Sequence, residues 1–119
     1  MAERPIRVLV VDDSAVARKF VRDILSAREE FEVVAIARDG LDALERISEL
    51  EPDVVTLDLV MPNLDGIGLL EALKDLRQRP EVVVVSMAGE DSELGVAALA
   101  AGAFEVVKKP TALPTARFF

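Results

Sequence analysis

The chain contains neither histidine nor cysteine. Without cysteine there are no disulfides, no zinc thiolate sites and no thiol nucleophile, and the composition suits a reducing compartment. Without histidine, Ser-His-Asp and Cys-His arrangements and phosphohistidine are excluded within this polypeptide. Any chemistry must therefore run on carboxylates, hydroxyls and lysines. Tryptophan and tyrosine are missing too, which by itself decides nothing. Positive charge is in deficit: 14 Lys and Arg against 22 Asp and Glu leave a net charge of −8. Such a chain repels nucleic-acid phosphates and anionic bilayer surfaces, so no nucleic-acid or membrane partner is expected. No apolar run approaches the ~18 residues of a membrane helix, and "MAERPIRVLVVDD" reaches an acidic pair before a signal-peptide pattern develops. A cytoplasmic location is the expectation.

What is present reads as one α/β domain over residues 1–119, long enough to bury ~65% of its unfolded surface without staples. Five short runs rich in β-branched residues recur: 6–12, 32–37, 53–58, 81–86 and 104–108. Each is apolar on both faces, as parallel strands covered by helices are. Between them, apolar residues three or four apart predict helices over 14–27, 41–50, 66–77 and 91–101. Asp39-Gly40 marks the start of the second, Asp91 or Ser92 caps the fourth, and Gly102 stops it. Alternating strands and helices imply right-handed crossovers and a doubly wound, five-stranded parallel sheet of flavodoxin-like order 2-1-3-4-5. In such sheets ligands bind beyond the carboxyl ends of the strands.

After Lys109-Pro110 only nine residues remain, "TALPTARFF", fewer than the ~11–12 of a mean helix. A last helix starting near Pro114 would be short or truncated, so the chain is expected to be a fragment of a longer protein. Apolar surface left on the fifth strand would then favour a dimer, which a monomeric sedimentation profile at high concentration would refute.

The strand tips carry the polar residues. Asp12 and Asp13 end the first strand, Asp58 the third and Ser86 the fourth, while Lys109 follows the fifth. Taken singly, an aspartate after a strand is more often just a turn or cap residue. Together, on strands that should be neighbours, three carboxylates converge and repel. A hard divalent cation relieves that repulsion. Mg²⁺ suits the position, because it takes a few carboxylates, keeps several waters and accepts phosphate oxygen. With Lys109 as a point charge and Ser86 as a hydroxyl donor, the set has the parts that phosphoryl transfer needs, and Asp58 can be the nucleophile.

In "VLVVDDS", "DVVTLDLVMPNLDG", "VVVVS" and "VVKKP" the chain resembles, from about Ile6 to Pro110, the receiver domain of two-component response regulators. The resemblance implies that a histidine kinase phosphorylates Asp58, and that Asp13, Asp58 and the backbone carbonyl of Val60 bind Mg²⁺. It further implies that Asp12 acts through a metal-bound water, that Lys109 pairs with the phosphate, and that Ser86 moves to hydrogen-bond it. More narrowly, "PDVVTLDLVMPNLDG", "VVVVSM" and "ALAAGAFEVVKKPT" are similar to the receiver half of chemotaxis protein-glutamate methylesterases. In that family a C-terminal output domain supplies the carboxylic ester hydrolase activity through a Ser-His-Asp triad, which this histidine-free chain does not contain. One departure stands out: many receivers carry Tyr or Phe three residues before the lysine, where this chain has Val106. Phe104 shares its side of the strand by alternation.

Four other readings compete. A stand-alone response regulator would act by protein binding. An aspartate-nucleophile phosphatase resembles a pattern with a second aspartate two residues after the nucleophile, where Val60 stands. An FMN-binding flavodoxin type would need small and hydroxyl residues after the first strand, where "DDSAVARK" places carboxylates. A degenerate receiver used only as an interaction surface would not be expected to retain all five key residues.

Overall fold

Parallel pairing orders the sheet of the computed structural model, which describes residues 4–61, 63–87 and 89–109. The strands are β1 (Ile6–Val11), β2 (Phe31–Ala37), β3 (Val54–Leu57), β4 (Glu81–Ser86) and β5 (Glu105–Lys108). They lie in the order β2-β1-β3-β4-β5, all neighbours parallel. The helices are α1 (Ala15–Ser26), α2 (Gly40–Leu50), α3 (Gly66–Leu73) and α4 (Glu93–Ala100). This is the flavodoxin-like architecture that the alternation predicts. The truncated last helix expected near Pro114 lies outside the described residues.

Helix starts are set locally. Ser14, Asp39, Asp65 and Ser92 each accept a hydrogen bond from a first-turn N–H of the helix that follows. For Ser14 and Ser92 such a cap is worth about 1 kcal/mol each. Ser92, rather than Asp91, is thus the cap of α4. The expected helix over 66–77 is shorter in the structure and ends at Leu73. Beyond it the chain turns so that the Glu81 N–H reaches the Asp53 carbonyl at 3.1 Å. Leu76, placed on the apolar stripe by spacing, is left 41% exposed.

The two faces of the sheet differ. Leu9, Val11, Val55, Leu57, Val82 and Val84 form one core with Ala43 and Ile47 of α2, Leu69, Leu70 and Leu73 of α3, and Ala98 of α4. Against the other face lies α1. Phe20, Val21, Ile24 and Leu25, with Val85 and Val107, border an apolar cavity of about 350 Å³ there. Both faces of the central strands are therefore apolar, as expected. No helix among the described residues is long and apolar enough to cross a membrane.

Candidate functional site

Register brings the polar residues together. Val11 pairs with Leu57, and Leu57 with Val84, so Asp12 and Asp58 leave adjacent strands at the same level. The Asp58 N–H donates to the Val11 carbonyl at 3.0 Å, and the Lys109 N–H to the Ser86 carbonyl at 2.7 Å. One carboxylate oxygen from each of Asp12, Asp13 and Asp58 lies within 4.8 Å of the other two. All six sequence-predicted residues therefore sit at this end of the sheet. Asp12, Asp58, Ser86 and Lys109 are buried, while Asp13 and Val60 are exposed.

The Lys109 ammonium holds the cluster together. Its Nζ is 2.7 Å from Asp12 Oδ2 and 3.7 Å from Asp58 Oδ2. Asp12 Oδ1 accepts from the Ser14 N–H at 2.9 Å, and Arg18 donates to the Asp12 carbonyl at 2.8 Å. Sequence reasoning missed Arg18, whose position on the first turns of α1 was a faint signal. Burial pushes the Asp58 carboxyl above the ordinary aspartate range, and the Asp12 charge adds to it. Lys109 and a hydrogen bond from the Val60 N–H oppose this rise without cancelling it. One lysine facing three carboxylates leaves net negative charge in a partly desolvated pocket. The donor set is all oxygen, the chemistry that a hard cation such as Mg²⁺ prefers.

Val106 is buried at 6% exposure, whereas Phe104 is 67% exposed, its ring outward in this structure.

Comparison with known proteins agrees with this geometry. The family model of the response regulator receiver domain matches residues 8–116. A protein-glutamate methylesterase/protein-glutamine glutaminase of Myxococcus xanthus is 67% identical over 115 residues, covering 97% of this chain and 33% of that protein. The chain thus spans about a third of the length of such curated relatives. The crystal structure of the response regulator domain of Thermotoga maritima CheB superposes with a TM-score of 0.86 at 40% identity, over 97% of this chain and 86% of that one. CheX-CheY-BeF3-Mg+2 from Borrelia burgdorferi gives 0.81 at 31% identity, over 91% and 81%.

Proposed function

Because the chain belongs to the response regulator receiver domain family, we propose that Asp58 is the phosphoacceptor of a two-component relay. Among receivers it is most like those of the chemotaxis methylesterases. The observation that carries the proposal is the meeting of Asp12, Asp13 and Asp58 oxygens within 4.8 Å, against the buried Lys109 ammonium.

A histidine kinase is the donor. An Asp58 oxygen attacks the phosphorus of its phosphoimidazole, the P–N bond breaks, the imidazole leaves with the bonding pair, and an acyl phosphate remains on Asp58. Asp12, Asp13, Asp58 and the Val60 carbonyl would hold Mg²⁺, which when bound supplies charge neutralisation for the phosphoryl oxygens. Lys109 already reaches toward Asp58 from 3.7 Å and positions its ammonium for the incoming oxygens. Ser86, buried on the tip of β4, supplies a hydroxyl on the neighbouring strand. The output is a population shift in the β4–α4 region that an attached domain, a methylesterase on the likeness to the longer relatives, would read.

An aspartate-nucleophile phosphatase would need an acid two residues past Asp58, and there stands exposed Val60. The test is intact mass after incubation with acetyl phosphate and Mg²⁺. The parent chain should gain one phosphoryl mass and Asp58→Asn none; equal labelling of both, or of neither, would refute the assignment.

A further inference from the structure

The acceptor loop has an attachment outside the acidic cluster. Asn63 (φ 51°) and Leu64 (φ 76°) stand consecutively in the left-handed region. Asparagine tolerates that region, whereas leucine occupies it against steric cost, and such pairs persist only where their surroundings hold them. The N-terminus of α2 does the holding. The Gly40 N–H donates to the Leu64 carbonyl at 3.1 Å and the Leu41 N–H to the Asn63 carbonyl at 3.3 Å. These are first-turn donors that a helix cannot satisfy for itself. Asn63 Nδ2 donates to Asp39 Oδ2 at 3.2 Å, and the other Asp39 oxygen accepts from the Asp42 N–H at 2.8 Å. Contact is so close that a Cβ on Gly40 would strike the Leu64 carbonyl. At the far side of the same loop the Gly66 N–H donates to the Leu59 carbonyl at 3.0 Å. The segment carrying Asp58, Leu59 and Val60 is therefore gripped between two helix starts.

We propose that Asn63 is a positioning residue: its amide, clasped to Asp39, fixes the loop shape that sets the Val60 backbone beside Asp58, so cation affinity depends on a contact outside the cluster. The affinity half rests on the function proposed above; the clasp itself does not.

Both halves are tested on the full chain. Asn63→Gly keeps left-handed freedom and removes the side chain with its amide. Without metal, amide exchange should quicken at least about tenfold over residues 58–66 and at Gly40 and Leu41, the effect of losing one hydrogen bond to a carboxylate. The Mg²⁺ midpoint by titration calorimetry should rise by about the same factor. Asn63→Asp, which faces carboxylate to carboxylate, should be worse, and the swap Asp39→Asn with Asn63→Asp should restore both readings. A purely structural role would lower the melting temperature and leave the midpoint alone. Exchange and midpoint both equal to the parent's in Asn63→Gly would overturn the proposal. A parent that shows no Mg²⁺ saturation would sink the proposed function and the affinity half together, while the exchange result would still decide the clasp.

Discussion

Lys109→Met without divalent cations measures how much the ammonium holds the acidic cluster in place. Methionine keeps the length of the buried stem and deletes only the charge. In an effective dielectric of ~20, the 2.7 Å approach to Asp12 is worth about 6 kcal/mol and the 3.7 Å approach to Asp58 about 4.5. Two carboxylate charges at the 4.8 Å limit of the cluster repel by about 3.5 kcal/mol. Desolvation of the ammonium takes back much of the attraction, and breaking a buried pair leaves a net loss of about 3–5 kcal/mol. Protonation caps the loss, because neutralising a carboxyl of ordinary acidity at pH 7 costs about 4 kcal/mol. A destabilisation of about 3 kcal/mol is therefore expected, or about 10 °C in melting temperature for a domain of this size. Urea unfolding in EDTA, followed by circular dichroism, reads it. Adding Asp58→Asn to Lys109→Met removes one of the stranded charges and its repulsion with Asp12, and should recover part of that loss. If Lys109→Met alone matches the parent within about 0.5 kcal/mol, or if the second change fails to recover stability, the electrostatic account is wrong.

The raised Asp58 carboxyl gives a pH dependence of definite sign. Its contribution to stability is full below the ordinary aspartate value and is lost as pH rises through its higher folded value, so metal-free Asp58→Asn should gain on the parent from about pH 4 toward pH 7. Asp39 and Asp53, held low by backbone N–H groups of Asp42 and Arg7, act in the opposite sense in both proteins and cancel in that difference. Gly66→Ala would drive a Cβ to 2.6 Å from the Leu59 Cα and 2.7 Å from the Asp58 carbonyl; labelling of Asp58 should slow at least tenfold, a cost of about 1.4 kcal/mol in the barrier, and unchanged rates would contradict the packing. Leu57→Ala, at a fully buried position one residue before the acceptor, should cost about 2–5 kcal/mol by calorimetry. Phe104→Ala, at a 67% exposed position, should change stability by less than about 0.5 kcal/mol, and a larger loss would mean that its ring packs inward.

Strand existence and order were legible because central parallel strands leave continuous apolar runs, and 6–12, 53–58 and 81–86 contain the strands observed as Ile6–Val11, Val54–Leu57 and Glu81–Ser86. The meeting of Asp12, Asp13, Asp58, Ser86 and Lys109 followed from strand order alone, since each residue ends or follows its strand. The distances did not follow. No spacing rule says that Lys109 lies 1 Å closer to Asp12 than to Asp58, because that depends on how the lysine stem runs past the carboxyl ends of the strands. The end of α3 was illegible for a related reason. Leu76 continues the helical spacing, but the turn toward Glu81 is imposed by the pairing of β4 with β3, a tertiary demand that overrides local periodicity. Asn63 hid in the same way: an asparagine after proline signals a turn, while its partner lies 24 residues earlier.

The arrangement at Asp58 sets stability against reactivity through a single physical quantity, the scarcity of water. Burial that raises the acceptor carboxyl makes the metal-free charge costly to the fold. Under the proposed function it would also strengthen every charge interaction offered to an incoming phosphoryl group, since attraction and repulsion both grow as the effective dielectric falls. Replacing Asp58 with a neutral side chain would relieve the first effect and abolish the second. The uneven reach of Lys109 fits this balance. Its short contact with Asp12 keeps the ammonium in the pocket when no phosphoryl group is present, and its longer approach to Asp58 leaves attraction still to be gained when negative charge is added there. Because the Lys109 N–H is bonded to the Ser86 carbonyl, any movement of the lysine toward that charge is felt at the tip of β4, where α4 begins its approach. Under the function proposed above, this backbone link would carry movement at Asp58 toward that face.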